Sequence, residues 1–102
     1  MHVIARRPLC KFWAKHPDAE GPLKAWYAEA KRASWKTPQD IKDRYGSASF
    51  PGNNRVVLNI CGKKYRLVVD VRYEFKTVVI CFVGTHAEYD KIDAKEIRCV
   101  RR

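Results

Sequence analysis

The chain has 102 residues, and its 21 Lys and Arg outweigh 11 Asp and Glu to give a formal net charge of +10. That length allows one domain, and the charge excludes an acidic tail or an acidic Ca²⁺-loop protein. Apolar residues make up 46%, enough for a core, and no apolar run approaches the ~20 residues a membrane helix needs.

The N-terminus lacks the apolar stretch and small-residue cleavage site of a secretory signal. A single cytoplasmic domain spanning 1–102, with no membrane contact and a polyanionic partner, is therefore expected. Residues 1–45 hold 10 basic and 5 acidic side chains and residues 46–102 hold 11 and 6, so neither part is a basic tail.

Met1 to Ala5 reads as a short strand. Pro8 suits the first turn of a helix, where its missing N–H costs nothing, and Leu9, Phe12, Trp13 and His16 follow at helical spacing until Pro17. Asp18 to Pro22 reads as a turn. Leu23, Trp26, Tyr27 and Ala30 then mark one face of a second helix. Thr37-Pro38-Gln39-Asp40 has the composition of a helix start, with Thr37 as N-cap, and this third helix is expected to end at Gly46. The aromatic stripe reads as core, since helical periodicity accounts for it.

From Arg55 the period becomes two, predicting strands over Arg55 to Cys61, Lys64 to Tyr73 and Thr77 to Val83, with a further short strand over Ile97 to Val100. A two-residue turn at Gly62-Lys63 pairs Ile60 with Tyr65, Leu58 with Leu67 and Val56 with Val69 on one face. The other face then pairs Asn59 with Arg66, Val57 with Val68 and Arg55 with Asp70. A tight turn near Phe75-Lys76 would pair Val71 with Ile80 and Val69 with Phe82, placing Asp70 beside Cys81, Val68 beside Val83 and Arg66 beside Thr85. Helices followed by an antiparallel meander of four to five strands give an α+β fold.

Cys10, Cys61, Cys81 and Cys99 form no Cys-x-x-Cys pair, and His2, His16 and His86 do not fall at metal-ligand spacing with them. Set among apolar neighbours, they read as reduced cysteines acting as small hydrophobes, in preference to a disulfide framework or zinc site. No metal or cofactor is expected.

The strand register brings Arg66, Asn59 and Lys64 to one rim of the sheet, near Thr85-His86 and Tyr89. RNA can be cut without a metal by attack of its own 2′-hydroxyl on the adjacent phosphate, given a base, an acid and cations around the charged transition state. Histidine exchanges protons near neutral pH, arginine matches phosphate oxygens with a planar fork, and tyrosine stacks on a base or gives up its proton. A charge inside a strand needs a partner or a function, and for Arg66 the structural partner would be Asp70. His86 and Tyr89 can equally be a surface histidine and a packing tyrosine.

Lys64-Tyr65-Arg66-Leu67-Val68-Val69 and, above all, Gly84-Thr85-His86-Ala87-Glu88-Tyr89-Asp90-Lys91-Ile92 closely resemble the HigB family of toxins, in the RelE-like group of type II toxin–antitoxin systems. Met1 to Ala5 and Trp35-Lys36-Thr37-Pro38 are similar too, so the resemblance covers essentially the whole chain. It implies a RelE-like fold, an N-terminal strand and helices on an antiparallel sheet, and a ribosome-dependent mRNA endonuclease acting on message bound to the ribosome. It also implies neutralisation by a HigA-type helix-turn-helix antitoxin, with operator DNA bound through the complex.

By motif position, Arg66 matches the strand arginine used near the scissile phosphate, His86 the place of a basic catalytic residue, and Tyr89 the motif tyrosine. Lys63, Lys64, Asn59 and Lys91 are the candidate RNA contacts around them. The chain departs from the family's pattern at Cys81, where arginine is common, and at Gly62-Lys63, where Gly-Asn is. Loss of a cation at position 81 leaves open a weakened activity, and with it the alternative of an RNA- or ribosome-binding module that does not cut.

Overall fold

The computed structural model describes residues 1–99. Its elements are β1 (His2–Ile4), α1 (Arg7–Lys15), α2 (Glu20–Arg32), α3 (Pro38–Arg44), β2 (Ser49–Gly52), β3 (Arg55–Ile60), β4 (Tyr65–Arg72), β5 (Thr77–Thr85) and a one-turn helix α4 (His86–Tyr89). The strands form one sheet in the order β1-β5-β4-β3-β2. β1 runs parallel to β5 while every other pairing is antiparallel, so the sheet is mixed where an antiparallel one was expected. A chain that passes through the helices before entering the meander brings its first strand to the sheet's far edge in that direction. This is the α+β architecture of the RelE-like expectation.

Helices α1 to α3 cover one face. Pro8 opens α1 and Lys15 sits in its last turn, favourable to the helix dipole. Leu9 and Phe12 of α1 and Leu23, Trp26 and Ala30 of α2 are buried with Val56, Leu58, Ile60, Leu67, Val69, Val71, Val78 and Ile80 of the sheet. Arg6 lies 5.4 Å from the centroid of the Trp13 ring and 5.6 Å from that of Tyr27, joining α1 to α2 by cation–π contact. Thr37 and Asp40 form the expected capping box of α3. At the other end of α3, Glu29 of α2 takes both Arg44 and the Tyr45 hydroxyl; the Tyr45 bond holds its carboxyl below the usual range.

Some boundaries moved. The turn expected over Asp18 to Pro22 is a 3₁₀ turn at Pro17–Ala19 that runs straight into α2, since Pro22 falls in the helix's first turn, where proline is harmless. α3 stops at Arg44, two residues before Gly46. The edge strand β2 was not anticipated, its Ser-Phe-Pro-Gly sequence having no period-two pattern. Residues 97–99 carry no strand, and the remainder of the strand expected there lies outside the described residues.

The β3–β4 register is the expected one at all six pairs. The β4–β5 register is not. Val71 faces Val78, Asp70 faces Val79 and Val69 faces Ile80, after which a bulge shifts the ladder so that Val68 faces Phe82 and Arg66 faces Gly84. The connection is a 3₁₀ turn at Tyr73–Phe75 closed by Lys76 in the left-handed region at φ 51°, longer than the expected tight turn. Cys81 is the extra residue of the bulge. It therefore lies neither beside Asp70 nor one pair inward from Arg66. Both Cys81 and Phe82 pack on the sheet's second face.

That second face holds its own small core of Val57, Val68, Cys81 and Ala94, with Phe82, Tyr89, Ile92, Ile97 and Cys99 against it. Cys81 and Cys99 form a disulfide, whereas Cys10 and Cys61 are free. The all-reduced reading is thus wrong for one pair, because the bulge turns Cys81 toward the returning C-terminal segment. No helix among the described residues is long and apolar enough to cross a membrane.

Asp70, the buried polar residue of this face, receives Arg55 Nε at 3.3 Å and Arg72 Nε at 2.8 Å. Arg55 also donates to the Ala94 carbonyl at 3.0 Å and the Ile97 carbonyl at 2.6 Å, pinning the C-terminal segment to the sheet. Removing the carboxylate would strand a nearly buried guanidinium. Asp70→Ala is expected to cost about 3 kcal/mol in urea unfolding at neutral pH, with the loss falling first on exchange protection of residues 94–97.

Candidate active site

Arg66 alternates with the core residues Tyr65 and Leu67, so its side chain leaves β4 on the second face. Its cross-strand neighbours are Asn59 of β3 and Gly84 of β5. Glycine at 84 keeps this approach open. A Cβ there would lie 2.6 Å from Phe82 Cζ and 2.7 Å from Glu88 Oε1, closer than side-chain atoms pack.

One residue on, the strand becomes a helix. The Thr85 hydroxyl accepts the Glu88 N–H at 3.2 Å, and the Thr85 N–H donates to Glu88 Oε1 at 2.8 Å. This capping box starts α4 at His86 and sets His86 and Tyr89 three residues apart, on one side of a single turn.

The three side chains meet. Arg66 Nε donates to His86 Nε2 at 3.3 Å, and the guanidinium carbon lies 4.9 Å from the centroid of the Tyr89 ring. All three residues are partly buried. In this contact His86 Nε2 is the acceptor, so the ring turns a lone pair toward a fixed cation. Among the described residues no carboxylate pairs with Arg66, since Asp70 is taken by Arg55 and Arg72. The structural reading of Arg66 as Asp70's partner is thereby excluded.

The other candidates divide. Asn59 stands across from Arg66 with its Oδ1 buried and without a hydrogen-bond partner among the described residues. Lys63 and Lys91 are exposed, with no side-chain bond among the described residues. Lys64 is turned away from the cluster: it pairs with Asp18 in the 3₁₀ turn and lies 5.5 Å from the centroid of the Tyr65 ring. The Tyr65 hydroxyl donates to the same carboxylate at 2.6 Å. Hydrogen bonds from Lys64 and Tyr65 hold the Asp18 carboxyl below its usual range, and the Asp18 bond pushes both partners up. The turn that follows β3 also differs in detail from expectation, because Cys61 as well as Gly62 takes a positive φ.

Phe82 is the site residue that sequence reasoning missed. Its ring lies over Gly84 and 6.5 Å from that of Tyr89, a position reached only through the bulge. The one sequence signal was Gly84 two residues later, a strand glycine that marks close approach of another group.

The family described as HigB_toxin, RelE-like toxic component of a toxin-antitoxin system, matches residues 19–92. The chain belongs to the HigB toxin family. The match contains β4, β5 and α4, and so every residue of the Arg66–His86–Tyr89 cluster. The chain is also similar to the mRNA interferase HigB of Escherichia coli O6:H1 (strain CFT073), with 26% identity over 94 residues, covering 90% of this chain and 91% of that relative.

Two outcomes follow from the local geometry. Thr85→Ala removes half of the capping box and should ease opening of α4 by about 1 kcal/mol, read as roughly fivefold faster amide exchange at Asp90, whose N–H bonds the His86 carbonyl at 2.9 Å. Asp18, with its pKa lowered on folding, anchors the β3–β4 turn fully above the ordinary carboxylate pKa. That anchoring is lost as pH falls through the lowered value, so the Lys64 amide, whose N–H bonds the Cys61 carbonyl at 3.2 Å, should keep its protection down to about pH 4 and lose it below. In Asp18→Asn the protection should be weak at every pH.

Proposed function

We propose that this HigB-family chain is an mRNA endonuclease that cuts ribosome-bound message without a metal and so inhibits translation. The observation that carries the reading is Arg66 itself: a partly buried guanidinium with no carboxylate partner among the described residues, in contact with a histidine nitrogen and a tyrosine ring. A scissile phosphate would supply the missing anion. Arg66 then takes two phosphoryl oxygens in its fork and releases His86 Nε2, while the Tyr89 ring stays under the guanidinium.

The 2′-hydroxyl attacks phosphorus and gives its proton to one of His86 and Tyr89. The bond to the 5′-oxygen breaks, and that oxygen takes a proton from the other. The products are a 2′,3′-cyclic phosphate and a 5′-hydroxyl end, with no water consumed. Arg66 meets the extra charge of the pentacoordinate phosphorus. Asn59, Lys63 and Lys91 hold the strand beside the cut, and Lys64 contributes when RNA competes with Asp18 for its amine.

Family membership supports a protein antitoxin as partner. We take it to be of the HigA helix-turn-helix type, with the complex binding its own operator DNA, and the toxin to act in the cytoplasm where translated message is found. Cys81, where the family commonly has arginine, is engaged in the second-face core, and the cations left for catalysis are those around α4.

Arg66→Ala and His86→Ala should each lower cleavage of message on programmed ribosomes by at least about 100-fold and abolish growth arrest on expression. Tyr89→Phe keeps the ring under Arg66 and loses only the hydroxyl, so its deficit isolates proton transfer from stacking. Full cleavage in Arg66→Ala and His86→Ala would refute the assignment. Transcripts left intact by the wild-type chain, despite salt-dependent RNA binding, would establish the non-cutting module instead.

A further inference from the structure

β1 pairs with β5 only at Thr77, Val78 and Val79. From Ile80 onward the outer edge of β5 has no strand beside it among the described residues. α1 lies along this edge, leaving a groove of about 550 Å³ between α1, the end of β5 and α4, within the range of about 300–1,000 Å³ usual for small-ligand sites.

The walls are aromatic and the rim is basic. The Phe12 and His16 rings stack at 4.4 Å and 25° on the α1 side, and Phe82 with Val83 forms the sheet side. Lys11 and Lys15 stand at the rim four residues apart on one face of α1, both exposed and neither held by a carboxylate among the described residues. The one acidic residue at the groove among the described residues is Glu88, whose Oε1 is bound to the Thr85 N–H. Phe82 joins this groove to the cluster described above, because its ring is the neighbour of Tyr89.

We propose that the groove is a subsite for a single-stranded RNA, with one base stacked against Phe82 and the phosphates beside it on Lys11 and Lys15. The proposal rests on reading the Arg66–His86–Tyr89 cluster as an RNA-cleaving site, and it places the strand that leaves that site. Flat rings flanked by free lysines suit a nucleotide, whose base has two π faces and whose link is an anion. An acidic protein segment would use the lysines and leave the rings without purpose.

The probe is a short fluorescent single-stranded RNA with 2′-O-methyl riboses, which binds without being cut. Lys11→Gln/Lys15→Gln should weaken its binding about tenfold and reduce the slope of log affinity against log salt by about 1.4, near 0.7 for each single-strand phosphate that no longer meets a lysine. The same two-charge change on other elements, Lys31→Gln/Lys36→Gln, should weaken it less than half as much on a logarithmic scale. Phe82→Leu keeps an apolar side chain but removes the ring, and should weaken binding about fivefold or more with no change in salt slope. Thermal melts verify that each variant is folded.

On programmed ribosomes the Lys11/Lys15 and Phe82 variants should raise the concentration needed for half-maximal cleavage. Wild-type affinity for the probe in either variant overturns the subsite, whether or not capture of an acidic antitoxin segment is weakened. Equal losses on duplex and single-stranded RNA overturn it as well. Continued cutting by His86→Gln would instead refute the cluster as the cleaving site, and the binding measurements decide the subsite separately.

Discussion

The anion balance on the second face of the sheet decides what Arg66 is free to do. Three arginines project there from β3 and β4, Arg55, Arg66 and Arg72, and the buried carboxylate among them is Asp70. Arg55 and Arg72 both reach it, and Arg55 is further committed to the carbonyls of Ala94 and Ile97. Arg66 is left four residues along the strand with an imidazole nitrogen and a π face. Both accept a cation weakly in comparison with a carboxylate. Had Arg66 been given its own acid, a phosphate would have to displace a carboxylate; here it would displace only the weaker contact to the His86 nitrogen.

The bulge at Cys81 does two things that a regular ladder could not. It shifts β5 by one residue so that Gly84, the position without a side chain, comes opposite Arg66, and α4 can start one residue later. It also directs Cys81 and Phe82 to the same face. One then ties the C-terminal segment to the sheet through Cys99, and the other supplies the ring between the cluster and the groove beside α1. The same local irregularity thus fixes the second-face core and shapes the site. Bulges are common next to active sites for this reason.

What could be read from the sequence follows from which forces are local. The β3–β4 ladder was legible because alternation of Val, Leu and Ile with polar residues sorts two faces and one slip would invert them. The α3 start was legible because a capping box is four consecutive residues. The β4–β5 register was not, since Val71, Val78, Val79, Ile80, Cys81, Phe82 and Val83 are all apolar and no alternation marks where the extra residue sits. The Cys81–Cys99 pair was hidden for the same reason. Arg66, His86 and Tyr89 were nonetheless drawn to one rim, because a shift of one residue along β5 displaces α4 by only about 3.3 Å, less than an arginine side chain spans. Lys64 was assigned to that rim by the strand register, and Asp18, distant in sequence, takes its side chain elsewhere.

Net charge, the strongest global feature of the chain, acquires a geography from these pairings. The lysines and arginines with carboxylate partners, Lys24, Arg44, Arg55, Lys64 and Arg72, serve helix surface, helix contact, hairpin turn and second-face core. Arg66, and Lys11 and Lys15 across the groove, have no such partner among the described residues, and they flank the same end of β5. An approaching polyanion is attracted by the whole excess of charge. It gains most where cations have no competing acid, since there no existing ion pair must be broken. The even division of charge along the chain therefore coexists with an uneven commitment of it to ion pairs, and Arg66, beside His86, is among the cations left uncommitted among the described residues.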